Sequence, residues 1–238
     1  MRATLFGVPA SHPSLAAELM LQHKGIDYRR IDLVTAAHRG LLRALGFPRK
    51  TVPAMRLDGA RVQGTGEIAL ALEALVPSPP LFPADPEARA AVVEAEAWGD
   101  EVLQPVPRRL IWNALGRDRS SVASYLEGAK LGIPTRLAAL TAPPISAAAR
   151  RFNHATDDNA RRDLAALPGM VDHVDELIER GVIGGPQRNA ADFQIATSIS
   201  LLMTMDDVRP MIAGRPAERL ARELVRHQPG HMPSVFAA

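Results

Sequence analysis

The chain has 238 residues, 47% of them hydrophobic, enough to bury one large core or two modest ones. Its formal net charge is only +2, and its 28 Lys and Arg are scattered, which argues against an electrostatic stripe for nucleic acid. There is no Cys, which removes disulfides, thiolate metal sites and a Cys nucleophile together.

The first apolar run, Ala3 to Val8, reads as a buried strand. A turn over Pro9–Ser14 leads into a helix whose apolar residues Leu15, Ala16, Leu19 and Met20 fall at helical spacing. Ser11 or Ser14 serves as its N-cap, and Gly25 closes it. His12 reads as an exposed turn residue. Tyr28 to Val34 is a second strand candidate, and Thr35 to Leu45 a helix ended by Gly46-Phe47-Pro48.

Lys50 to Ile68 carries the densest information. Asp58-Gly59 between two apolar runs is a hairpin signal. Val52-Pro53 opens the first strand of that hairpin without an N–H at Pro53. X-Pro bonds are also where a cis peptide is tolerated, which would turn the Val52 backbone outward to pair with a peptide-like ligand. Gly64-Thr65 then starts a helix to about Leu75, and a helix N-terminus with a hydroxyl is suited to a carboxylate. Strand–helix–strand followed by hairpin–helix makes an α/β layer of thioredoxin size.

Val76 to Pro86 is proline-rich and reads as a stiff, extended connector. Beyond it the pattern is helical. Glu87 to about Asn113 carries an apolar stripe that Pro105 and Pro107 should break or kink. Further helices are expected over 121–130, 147–156, 161–180 and 217–226. A capping box at Asn189 and Asp192 starts another, running to about Met205. The tail from His227 to Ala238 is expected to be mobile. The apolar run at the N-terminus is too short for a signal peptide, and the longest apolar-rich stretch, Ile195 to Met205, is too short to cross a bilayer. The expectation is a soluble cytoplasmic protein, with neither nucleic acid nor membrane as partner.

Together these pieces resemble the glutathione transferase superfamily. They are Ser11 at the strand–helix turn, Val52-Pro53, Gly64-Thr65, Leu81 to Pro86, and the Asn189–Asp192 cap, in order along the whole chain. The resemblance implies a thioredoxin-like N-terminal domain over residues 1–76, a linker over 77–86, and an all-α helical domain over 87–238 that carries the second-substrate site. It implies glutathione as cosubstrate, a small apolar electrophile as the other reactant, and a homodimer. Residue by residue, it gives Ser11 the sulfur of the thiol, Val52 with Pro53 the cysteinyl backbone, Gly64 and Thr65 the γ-glutamyl carboxylate, and His38 the glycyl carboxylate, with Lys50 a weaker candidate. Arg108, Arg109 and Trp112 fall near the second substrate. Two residues depart from the pattern. Gly64 stands where such sequences carry Glu or Gln for the ligand's amino group, with Gln63 or Glu67 as substitutes, and Ala16 stands where a basic residue is common. Lacking Cys, the chain does not resemble the disulfide-reducing members. A non-catalytic binding protein, or an enzyme of the same fold using another thiol, are the alternative readings.

Overall fold

A computed structural model describes residues 2–35, 37–130 and 142–236. Four strands form one mixed sheet in the order β2-β1-β3-β4, with β1 Ala3–Gly7, β2 Tyr28–Asp32, β3 Ala54–Leu57 and β4 Ala60–Gln63. β1 pairs parallel with β2 and antiparallel with β3, and β3 pairs antiparallel with β4. Alternation along β1 sets the two faces. Leu5 belongs to the large core beneath helices α1 (His12–His23) and α3 (Thr65–Leu75). Phe6 belongs to a smaller cluster with Leu33, Leu42, Phe47 and Ala54, which carries α2 (His38–Ala44). The β3–β4 turn puts Asp58 and Gly59 at φ 45° and 91°, and a Cβ on Gly59 would meet nothing within 4 Å. Gly59 is therefore there for backbone conformation, as a two-residue hairpin turn requires.

From Pro86 onward the regular elements of the described residues are helical: α4 Pro86–Trp98, a π-turn Gly99–Leu103, α5 Pro105–Arg117, α6 Val122–Tyr125, α7 Ala142–Phe152, α8 Asp157–Glu179, α9 Ala190–Leu202, α10 Arg209–Ile212 and α11 Pro216–Leu224. The fold is thus a thioredoxin-like α/β layer followed by a helical part. The expected break at Pro105 takes the form of a π-turn ending where Pro105, as the first residue of α5, needs no N–H partner.

Helix α9 is the hub of the helical part. All of its residues are buried, and it packs on α1, α4 and α11. The Asn189 side chain accepts from the Asp192 N–H at 3.2 Å, while the Asp192 carboxylate accepts from the Asn189 N–H at 2.8 Å and the Gly184 N–H at 2.6 Å. At Gly99 a Cβ would lie 3.0 Å from Gln194 and 3.1 Å from Ile195, so glycine there lets α9 approach the π-turn.

Several local expectations are corrected. The connector also contributes to the core, which its proline content did not announce: Leu81 and Phe82 are buried there, and the Leu81 carbonyl accepts from the Ala190 N–H at 2.9 Å. The helix expected over 121–130 is only Val122–Tyr125, and α2 starts at His38 rather than Thr35. The C-terminal tail, read as mobile, is fastened. Met232 bridges Met205 in parallel, and the Asp207 carboxylate accepts from the N–H groups of Val235 and Phe236 at 2.7 and 3.0 Å. The Met232 N–H and carbonyl pair with the Thr204 carbonyl and the Asp206 N–H, both at 2.9 Å, partners on a distant segment that nothing local in the tail announces.

Candidate functional site

A cleft of about 370 Å³ opens between the α/β layer and the helices. One wall is the β1–α1 turn with Thr35, His38, Lys50, Thr51 and Val52; the other is α5 through Arg108, Ile111, Trp112 and Leu115, extended by Tyr125 and Phe152.

Ser11 stands at the mouth of α1, just after Ala10, whose φ is 53°. It is the N-cap. Its Oγ accepts from the Ser14 N–H at 3.3 Å and lies 2.9 Å from the Ser14 Oγ. A hydroxyl has two lone pairs and one proton. The cap uses one lone pair, and if Ser14 donates to the other, the Ser11 proton is left for the cleft. Capping and hydrogen bonding to a ligand are therefore compatible in the same side chain.

His12 is no exposed turn residue. It is 2% exposed, and its Nε2 lies 3.2 Å from the Gln104 carbonyl. A carbonyl can only accept, so Nε2 carries the proton. Burial, reinforced by Arg108, lowers the His12 pKa to about 3. His12 is thus a neutral strut between the two walls. Nothing local signals this, because its partner Gln104 lies 92 positions away in the chain.

His38 begins α2 with its Nδ1 held by the Thr35 carbonyl, and burial followed by Arg39 lowers its pKa. A carbonyl can only accept, so Nδ1 carries the proton, and the neutral ring presents Nε2 as an acceptor; donation to a carboxylate requires the ring to take up a second proton. The Val52–Pro53 peptide is cis, and neither backbone group of Val52 is paired among the described residues. Both are available to a ligand backbone.

The start of α3 is closed. Pro53, Gly64 and Thr65 do not line the cleft; Thr65 is 3% exposed, and its Oγ1 has no partner among the described residues. Gly64 has φ 105°, and a Cβ there would fall 2.3 Å from Glu67 Oε2. The space an acid at position 64 would enter is already filled by the Glu67 carboxylate, itself paired with Arg49. Gln63 is not available as a substitute. Its amide is spent on the Arg49 N–H at 2.8 Å and on the carbonyls of Arg49 and Thr51 at 2.8 and 2.7 Å. Glu96 lies behind: a Cβ on Gly66 would be 3.1 Å from its Oε1, and burial, with Asp100 and Glu67 nearby, raises its pKa to about 7.

Of the residues expected near the second substrate, Arg108 and Trp112 line the cleft, whereas Arg109 points elsewhere, paired with both Asp163 oxygens at 2.6 Å. Two wall residues carried no sequence signal: Tyr125, bonded to Thr204 at 2.9 Å, and Phe152, with Arg39 4.1 Å above its ring. Among the described residues no cluster of side chains could hold a metal ion, and no helix is long and apolar enough to cross a membrane.

Residues 5–80 match the family model described as glutathione S-transferase, N-terminal domain. No curated protein is a detectable sequence relative of the chain. Among solved structures, a glutathione S-transferase from Rhodospirillum rubrum is 18% identical, with 97% of this chain and 96% of that one covered at a TM-score of 0.60. The β-etherase LigF from Sphingobium sp. strain SYK-6 is 19% identical, with 94% and 98% covered at 0.63. A glutathione S-transferase from Methylobacterium radiotolerans, solved with glutathione sulfonate, is 17% identical, with 100% and 99% covered at 0.56.

Proposed function

We propose that this chain, a member of the glutathione S-transferase superfamily by its residues 5–80 and by its fold, activates a small thiol, glutathione, for attack on an apolar electrophile. The observation that carries the reading is Ser11: a hydroxyl at a helix N-terminus, in a cleft whose facing wall is apolar apart from Arg108. A free thiol with a pKa near 8.5 is mostly protonated at neutral pH, and the thiolate is the nucleophile. Lowering that pKa by about 1.5 units takes about 2 kcal/mol. One hydrogen bond to the anion, worth about 1.5–3 kcal/mol, together with the α1 dipole, worth about 0.3–1 kcal/mol, meets that requirement.

In this reading the Val52 backbone pairs with the cysteinyl unit beside cis-Pro53, and Lys50 faces the glycyl carboxylate together with His38, which donates to it only on taking up a second proton. The γ-glutamyl head, a zwitterion, docks by parting the Arg49–Glu67 pair. Its carboxylate goes to Arg49 and the first turn of α3 at Gly64 and Thr65, and its ammonium to Glu67. Residues 1–76 form the thiol-binding unit, 77–86 the link, and 87–238 the unit carrying the second-substrate wall. The working form in this reading is a cytoplasmic homodimer.

Retention on immobilised glutathione and release by the free tripeptide tests the ligand. An ultraviolet thiolate band on the bound tripeptide near neutral pH tests activation. Binding without the band leaves a non-catalytic binding protein.

The closed start of α3 favours a second reading, a thiol without a γ-glutamyl head. Competition separates the two. Cysteinylglycine displacing the ligand as well as glutathione does would show that Thr65, Arg49 and Glu67 take no part in docking.

A further inference from the structure

Among the described residues the cleft has no acidic side chain in its wall. Its charged members are Arg39, Lys50 and Arg108, and its two histidines are neutral by burial. The sequence of 131–145 contains neither Asp nor Glu. Two of the three cations have other roles: Arg39 lies over the Phe152 ring, and Lys50 sits beside the thiol end at Thr51 and Val52.

Arg108 is different. It projects from α5 on the same face as Ile111 and Trp112, three and four residues on, which are apolar walls of the cleft. Its only hydrogen bond among the described residues is Nη1 to Gln104 Oε1 at 3.1 Å, and its Nε is buried without a partner. The nearest acid on its helix row, Asp100, is engaged by Gln104 Nε2 at 2.7 Å and by Gln194 Nε2 at 3.3 Å, and makes no ion pair with Arg108. The adjacent Arg109 is fully matched by Asp163. A guanidinium stays charged even where burial lowers its pKa; Asp100 acts on this one only at a distance, so a carboxylate brought into direct contact would find an unmatched fork of donors.

We propose that the second substrate bears a carboxylate on an apolar body, with the carboxylate paired to Arg108 and the body against Ile111, Trp112 and Leu115. This deepens the transferase reading and rests on it for the identity of the cleft as the electrophile's place. Paired to Arg108, such a substrate would be anchored at one end and present its electrophilic carbon elsewhere along the cleft.

The test uses 4-ethylbenzoate and 4-ethylbenzamide, which match in shape and differ in charge, with binding to the full chain measured by calorimetry at neutral pH without thiol. The expected result is at least about tenfold tighter binding of the benzoate, a charge-assisted bond against a neutral one. Arg108→Met should bring the ratio to about one, and Arg108→Lys should keep part of it. Equal binding to the unmodified protein overturns the proposal, as does a ratio unchanged in Arg108→Met. Arg39→Gln and Lys50→Gln test the assignment independently of whether Arg108→Met folds. They should leave the ratio in place, and its loss in either would move the anion away from Arg108 and overturn the proposal. A rise in the thiol pKa of bound glutathione in Arg108→Met, with the ratio intact, would assign Arg108 to the sulfur and overturn it too. Protein that keeps the ratio but fails to bind glutathione loses the transferase reading and keeps the anion site.

Discussion

Ser11→Ala separates the two roles that the geometry allows one hydroxyl to hold. As a cap, Ser11 bonds a single N–H at a long 3.3 Å, and Pro13 leaves α1 one fewer donor to satisfy. Loss of the cap should therefore cost about 0.5–1 kcal/mol, at the lower end for such residues. As a thiolate donor it makes one charge-assisted bond, worth about 1.5–3 kcal/mol, so turnover should fall about tenfold to a hundredfold. The apparent pKa of the bound thiol should rise by about one to two units, because each unit is about 1.4 kcal/mol. Affinity for glutathione should change little, since Val52 and the start of α3 hold the rest of the tripeptide in this reading. Stability is read by urea unfolding, the thiol pKa by ultraviolet titration of the bound tripeptide, and rate by steady-state turnover of a reactive aryl electrophile. Ser14→Ala is the control, because it removes the Ser11 Oγ neighbour at 2.9 Å and leaves the cap acceptor in place. A Ser11→Ala protein with lowered stability but unchanged pKa and rate would refute thiolate activation and leave Ser11 a cap alone.

Four further outcomes follow from the same geometry. Thr65→Val removes a buried hydroxyl with no partner among the described residues, so it should stabilise the free protein by about 1 kcal/mol while weakening glutathione binding; unchanged affinity by calorimetry would remove Thr65 from the site. His12, whose pKa is lowered from 6.5 to about 3, takes a proton in the unfolded chain long before it does in the folded one. Its contribution is full above pH 6.5 and is lost as pH falls, so about 3 kcal/mol should disappear between pH 7 and 4, and His12→Gln should abolish that part of the slope in urea titrations. Glu96, raised from 4.5 to about 7, has the opposite sign: stability present below pH 4.5 is lost as pH rises through 7. Glu96→Gln should gain about 1–2 kcal/mol at pH 8, allowing for partial solvent screening, and nothing at pH 4.5, with unchanged unfolding midpoints at both pH values as the contrary result. Asn189→Ala loses the bond from the Asp192 N–H and its own bond to the Val182 carbonyl at 2.9 Å, so thermal unfolding should show a loss of about 2 kcal/mol.

Much of the fold was legible in the sequence because its signals are local. Asp58-Gly59 specifies its turn from two residues, the Asn189–Asp192 box closes over four, and the α9 run carries no Lys or Arg and only small or amide polar residues beyond its cap, as suits a helix buried on all sides. Pro105 announced its break in the same way, since a missing N–H acts where it stands. The tertiary structure decided what depends on residues far apart in the chain. His12 looked like a turn residue until Gln104, 92 positions on, came to lie against it. Leu81 and Phe82 read only as part of a connector, and it is the assembled core that buries them, with the Leu81 carbonyl meeting the Ala190 N–H at the start of α9. Arg108 and Arg109 are indistinguishable as neighbours in sequence, and only the position of Asp163 on α8 satisfies one and leaves the other facing the cleft. Gly64 read as a missing acid, whereas Glu67 folds back into the space such an acid would enter. Periodicity and capping depend on spacings of two to four residues, which a sequence displays directly. Burial, pairing and the charge of a cleft depend on which distant side chains meet, and that is settled only when the helices pack.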